Sequence, residues 1–242
     1  MGKGMKIDRI DYNRIAQAQS FYKGRGYQNV ETPWMVTPQA IRATLPIGKT
    51  MMETIRGVLI GSGEQGFIQQ MMDGTLEPGL YQTTTPCFQD ANEHHSPYYF
   101  GSDENNPWSQ RIELICYNPK ASDLLLAYEK LINDAMACFF EISDADAFDA
   151  YQTEDGVDLR HNETILGSCG VRRMGDTHAW IYGTGLIEPR FTLALRSTAG
   201  VLEGSHDHVE ALETPATGTP DTETCDAATI EVLEGLDTPE QS

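Results

Sequence analysis

In YGTGLIEPRF, Tyr182 to Phe191, two glycines two residues apart run into an acid, a proline and an arginine, and an apolar run follows to Leu195. Such a stretch is a phosphate-cradling loop, the end of a strand entering a helix, or a more particular arrangement. A Walker-type loop is excluded, because Gly-Lys-Ser/Thr is missing there. Pro46 to Thr50 does contain Gly-Lys-Thr. It lacks the earlier glycine and no apolar strand leads into it, so it reads as coincidence. His94 and His95 are adjacent and point apart, which suits a solvated loop better than a metal pair. Asp144 and Asp146 lack the rest of an EF-hand pattern. Asn162-Glu-Thr164 is a sequon with no secretory signal to give it a use.

The composition narrows the classes. The chain has 242 residues, 40% of them hydrophobic, which suits one medium domain or a domain with a tail. The formal net charge of −19 disfavours broad electrostatic binding to nucleic acid. That charge is uneven: no Lys or Arg follows Arg196, while acids recur to the end. The exclusion is therefore weaker for the domain than for the whole chain. The five cysteines form no Cys-x-x-Cys pair, which predicts free thiols in a reducing compartment and no zinc site. The Met-Gly-Lys-Gly-Met-Lys start has no apolar signal region, and no apolar run approaches the roughly 20 residues of a membrane span. A soluble, cytoplasmic protein with no membrane partner is expected.

The elements that must position these residues follow from periodicity. Ile10, Ile15, Ala18, Phe21 and Tyr22 predict a helix over 8–25, ended by Gly24 and Gly26. A short strand is predicted over 27–32, closed by Pro33, and a short helix over 37–44 with Thr37 as cap. Val58 to Ile60 reads as a strand, and Glu64 to Met72 as a helix with Phe67, Ile68, Met71 and Met72 on one face. Strands over 76–88 and 108–117 flank a long polar loop. A helix follows over 122–142, then a polar connection over 143–156. Two strand-like pieces lie in 157–173, a strand in 177–182 and a helix opening over 188–196. From Thr198 onward Gly, Thr, Pro, Asp and Glu dominate, and too little apolar area remains to offset ordering entropy. The expectation is an α+β fold, a mostly antiparallel sheet flanked by helices, over 1–197, with an acidic disordered tail over 198–242.

The order of these pieces resembles the catalytic core of class II aminoacyl-tRNA synthetases, over roughly residues 8–196. Phe21 to Pro38 resembles the family's first motif, a helix, a glycine turn and a strand ending in proline, here Pro33. Gly79 to Glu93, with Pro107 to Leu114, resembles the second motif, a strand–loop–strand. Tyr182 to Leu195 resembles the third, a Gly-x-Gly pair (Gly183, Gly185) leading to an arginine (Arg190) before an apolar helix. The second motif departs from the pattern. Where the family has Phe-Arg-Asp-Glu, this chain has Phe88-Gln89-Asp90-Ala91.

The resemblance implies ATP and Mg²⁺ as cofactors, an amino acid as substrate, and a homodimer through 8–38. Gly183 and Gly185 would let the backbone approach a nucleotide, and Arg190 would pack on adenine and reach the terminal phosphate, as a planar permanent cation can. Phe88 and Trp108 would adjoin the nucleotide, with Trp108 under the adenine. Gln89 stands where the family's arginine stabilises developing charge, often the largest catalytic contribution; it can donate a hydrogen bond but carries no charge. Arg111 and Arg172 are the candidates to compensate. The family's metal-holding acid would fall at Ile165 by spacing from Arg172, so Glu163, two residues earlier on the same strand face, and Glu113 are the candidate metal ligands. Glu64 and Gln65, with Arg172, would read the amino acid. The implied activity is ATP-dependent amino-acid activation with transfer to an acceptor, tRNA or another molecule. The alternative is a non-catalytic dimeric paralogue that binds a nucleotide or amino acid.

Overall fold

The fold is given by a computed structural model that describes residues 10–45, 52–88, 108–145, 147–162, 164–174 and 178–203. Gln89, Glu163 and the segment 204–242 lie outside the described residues, as do the side chains of Trp108 and of 197–203.

A seven-stranded sheet forms the frame. Its strands are β1 (Gln28–Asn29), β5 (Gly79–Phe88), β6 (Trp108–Tyr117), β10 (His178–Glu188), β9 (Thr164–Met174), β8 (Gly156–His161) and β7 (Asp149–Thr153), in that spatial order. Only the β1–β5 pair is parallel. The expected α+β class with a mostly antiparallel sheet is what the chain adopts.

Strand alternation divides the sheet into two faces. Ile112 and Leu114 of β6, Ile181 of β10 and Cys169 of β9 share one core with helices α1 (Tyr12–Gly24), α4 (Leu124–Glu141) and α5 (Arg190–Glu203). Helix α4 inserts Leu131, Ala135, Cys138 and Phe139, the 3.6-residue spacing read from the sequence. Helix α1 begins at Tyr12, where the Asp11 carboxylate accepts from Arg14 N–H at 3.0 Å, and not at residue 8. The opposite face packs Tyr81, Ile115, Tyr117 and Trp180 against helix α3 (Gly63–Met72).

Helix α3 is held at its start by a capping box between Ser62 and Gln65. It lies beside a small sheet that the sequence reading missed in part: β4 (Gly57–Leu59) sits between β2 (Met35–Val36) and β3 (Met52–Thr54). Those outer strands are two or three residues long, too short for alternation to register. Helix α2 (Pro38–Arg42) starts after Thr37, as expected.

Three expectations are corrected. The polar connection over 143–156 contains β7, the edge strand of the sheet, whose residues are mostly exposed on both faces and so carry no hydrophobic alternation to read. The strand expected to stop at Tyr182 continues to Glu188, straight through Gly183 and Gly185. Helix α5 runs to Glu203 and not Arg196.

Candidate active-site face

The glycines of the opening stretch have a structural job. A Cβ on Gly183 would lie 2.2 Å from Leu131 Cδ2 of α4, and one on Gly185 about 2.9 Å from the Tyr22 ring of α1. The Tyr22 hydroxyl donates to Gly185 O at 2.9 Å. Both positions face the helix-side core, and the absent side chains let two helices close on β10. A register shift between Thr184 and Leu186 marks a bulge at the second glycine. The packing role of these glycines stands beside the expectation that they let the backbone approach a nucleotide.

The polar side chains collect on the opposite face. Antiparallel register aligns Thr83, Glu113 and Thr184 in one row across β5, β6 and β10. Thr85 and Arg111 form the row on one side of it; Tyr117, Trp180 and Arg172 form a row further along in the other direction. Most of these groups are buried, and buried charge is costly unless paired.

Glu113, 3% exposed, accepts from Ser62 Oγ at 3.1 Å, and Arg111 Nη1 lies 3.8 Å from the same oxygen. Thr184 and the Gly63 N–H also face its carboxylate. Burial pushes its pKa up, while Arg111 and these hydrogen bonds pull it back. Space is tight: a Cβ on Gly63 would lie 2.7 Å from Glu113 Cγ. Arg111 is 9% exposed and donates through Nε to Ser109 Oγ at 3.0 Å.

Glu64, in the first turn of α3, forms the second charged group. Its Oε1 accepts from Trp180 Nε1 at 2.6 Å. Arg172 Nε lies 3.2 Å from the same oxygen, an ion-pair contact without hydrogen-bond alignment. Burial pushes the Glu64 pKa up to about 7 against the opposing pull of Arg172 and Trp180; nearby Glu113 pushes in the same direction as burial. The Arg172 guanidinium lies 4.7 Å from the Tyr182 ring centroid, and that ring fills the space a side chain at Gly170 would occupy.

Other expected residues are placed differently. Gln65 is spent internally: its Oε1 accepts from Gly61 N–H at 2.8 Å and its Nε2 donates to Thr44 Oγ1 at 3.1 Å. One end of the amide thus serves the α3 cap and the other ties α3 to the segment after α2. Arg190 opens α5, is 7% exposed, and its Nη1 lies 3.4 Å from Ile165 O. The structure thus brings together Arg190 and the position where spacing put a metal-holding acid. Phe88 ends β5 opposite Trp108 and touches Trp34, with ring centroids 6.0 Å apart.

Sequence reasoning missed two contributors, Ser62 and Trp180. The Ser-x-x-Gln signature beginning at Ser62 was legible as a cap, but no local pattern revealed that Trp180 bonds a residue 116 positions away. Among the described residues no group of three or more His, Cys, Asp or Glu could hold a metal ion.

No protein-family model and no curated protein matches the sequence. Solved structures do match. Pyrrolysyl-tRNA synthetase from Desulfitobacterium hafniense aligns with a TM-score of 0.57 at 10% identity, covering 78% of this chain and 69% of that one. Seryl-tRNA synthetase from Pyrococcus horikoshii, solved as a complex with ATP, aligns at 0.59 and 14% identity, covering 76% of this chain and 49% of that one. The cytoplasmic serine-tRNA ligase from Naegleria fowleri, solved with AMP, aligns at 0.52 and 15%, covering 74% and 46%. The chain thus spans about half the length of the two seryl enzymes. The chain shares the fold of class II aminoacyl-tRNA synthetase catalytic domains.

Proposed function

We propose that this chain activates an amino acid with ATP, forming an aminoacyl-adenylate and releasing pyrophosphate, before transfer to tRNA or another acceptor. One observation carries this reading. Within a fold shared with class II synthetases, one sheet face carries buried Arg111 and Glu113 and partly exposed Arg172, and helix α3 sets buried Glu64 against it, a concentration of charge within an otherwise apolar layer.

The amino-acid carboxylate attacks the α-phosphorus of ATP, a C–O–P anhydride forms, and the bond to pyrophosphate breaks. Arg190, Phe88 and Trp108 hold the nucleotide at the Glu188 end of the face. Arg111, one register row beyond Glu113 toward that end, supplies the charge that Gln89 lacks, and Gln89 contributes a hydrogen bond. Glu64 and Arg172 contact the amino acid at the other end.

Magnesium enters this reading with the nucleotide phosphates, since it commonly binds through one or two carboxylates plus phosphate oxygens. Glu113 fits that role poorly, because Ser62, Thr184, Gly63 N–H and Arg111 already engage its carboxylate. Glu163 is the remaining acid proposed as ligand. The active species is proposed to be a cytoplasmic homodimer through 8–38.

ATP–pyrophosphate exchange against all the standard amino acids tests the reading. Exchange that depends on one amino acid is the expected result. No exchange with any of them, in folded dimeric protein, would sink it in favour of a non-catalytic paralogue.

A further inference from the structure

Arg172 and Arg111 share one face but differ in what they leave available. Arg111 is buried, is contacted by Glu113 and Ser109, and lies toward the Glu188 end of the face. The Arg172 side chain is 36% exposed. Glu64 meets it at Nε, and the Tyr182 ring supports it from below. Glu64 is itself fixed by the buried Trp180 indole. Glu64 lies against Nε, which is buried, while the side chain as a whole keeps 36% exposure, and this leaves the Nη1–Nη2 edge of the fork as the part that a ligand would meet in this reading. Two terminal N–H groups in one plane match a carboxylate bidentately.

Position along the sheet indicates which carboxylate. Arg172 pairs with Trp180, near the start of β10, whereas Arg190 follows the other end of that strand at Glu188. Phe88 and Trp108 lie at the Glu188 end too. An amino acid activated on this face must direct its α-carboxylate toward the nucleotide. Its side chain then extends toward Arg172.

We propose that Arg172 is a specificity-determining residue that reads a side-chain carboxylate, so that the substrate is a dicarboxylic amino acid, with Glu64 and Trp180 as the pair that positions it. The inference rests on the activation reading for the direction of the substrate, and its test does not depend on turnover.

Calorimetric titration with aspartate and glutamate, and with asparagine and glutamine as neutral isosteres, measures the preference directly. One of the two acids binds wild-type protein at least tenfold tighter than its amide. Arg172→Gln removes that preference, and Arg172→Lys, which keeps the charge without the fork, restores it only in part. Equal binding of acid and amide by wild type, or a preference that survives Arg172→Gln, overturns the proposal.

Glu64→Gln tests the positioning pair. Arg172, Glu113, Tyr182 and the neutral Trp180 face Glu64 from the strands packed against α3. An anion arriving beside Glu64 favours its protonated form, so wild-type affinity for the acid strengthens from pH 8 to pH 6, and Glu64→Gln abolishes that trend. A flat wild-type response overturns the role of Glu64. The two readings fail separately. Acid preference without exchange activity would sink activation alone, and exchange supported only by a neutral amino acid would sink the carboxylate reading alone.

Discussion

At the scale of single residues, burial sets the chemistry of Glu64. Its pKa rises from an ordinary 4.5 to about 7, with desolvation as the leading cause. The folded protein therefore retains a proton that the unfolded chain gives up near 4.5. This contribution stabilises the fold fully below pH 4.5 and is lost as pH rises through 7, with a difference of about 3 kcal/mol across that window. Glu64→Gln should remove that slope, read as the pH dependence of the urea midpoint relative to wild type. An unchanged slope would mean that Glu64 is solvated or permanently ionised. Arg190 carries a separate prediction. Saturating ATP with Mg²⁺, at about one hundred times Kd, should stabilise wild type by about 2.7 kcal/mol. Arg190→Ala should abolish the resulting shift in melting temperature, and a shift of wild-type size in that variant would show that Arg190 does not hold the nucleotide.

At the scale of elements, β10 does two things at once. Its helix-side positions at 183 and 185 are pared to glycine so that α4 and α1 can close, and its other face carries Trp180, Tyr182 and Thr184 into the polar cluster. Gly183→Ala should cost about 1–3 kcal/mol by overpacking against Leu131, measured as a lowered urea midpoint with unchanged m-value. A neutral result would show that α4 can move off the strand. The N-terminus of α3 is a second dual element, because Ser62 serves both the cap and Glu113. Ser62→Ala should destabilise by about 1 kcal/mol through the cap. A loss of exchange activity beyond that would locate part of the function in the Ser62–Glu113 contact.

At the scale of the whole molecule, the prediction concerns where the functional unit ends. The chain truncated after Glu203 should keep the melting temperature and the ATP response of the full chain, since the remaining segment is acidic and poor in apolar residues. A lower melting temperature would show that the tail packs on the core. Sedimentation of the truncated chain at twice its mass would support the proposed dimer through 8–38; a monomer would refute it. No helix among the described residues is long and apolar enough to cross a membrane.

Local pattern alone determined much of this protein. The 3.6-residue stripe of α4, the Thr37 and Ser62 capping signals, and the polar break between two β-rich runs all follow from neighbours in sequence, so the element order and the α+β class were legible. Arg190 was singled out by resemblance to the family's third motif and not by local pattern, and α5 begins at it. Edge strand β7 was not legible, because exposure on both faces erases alternation. The jobs of Gly183, Gly185 and Gln65 were not legible either. A glycine in a strand and a glutamine in a first turn have several uses, and the choice depends on Leu131, Tyr22 and Thr44 arriving from elsewhere in the chain. Only tertiary packing places Trp180 on Glu64 and Glu64 beside Arg172, because sheet register and helix docking bring together groups that no local interaction relates.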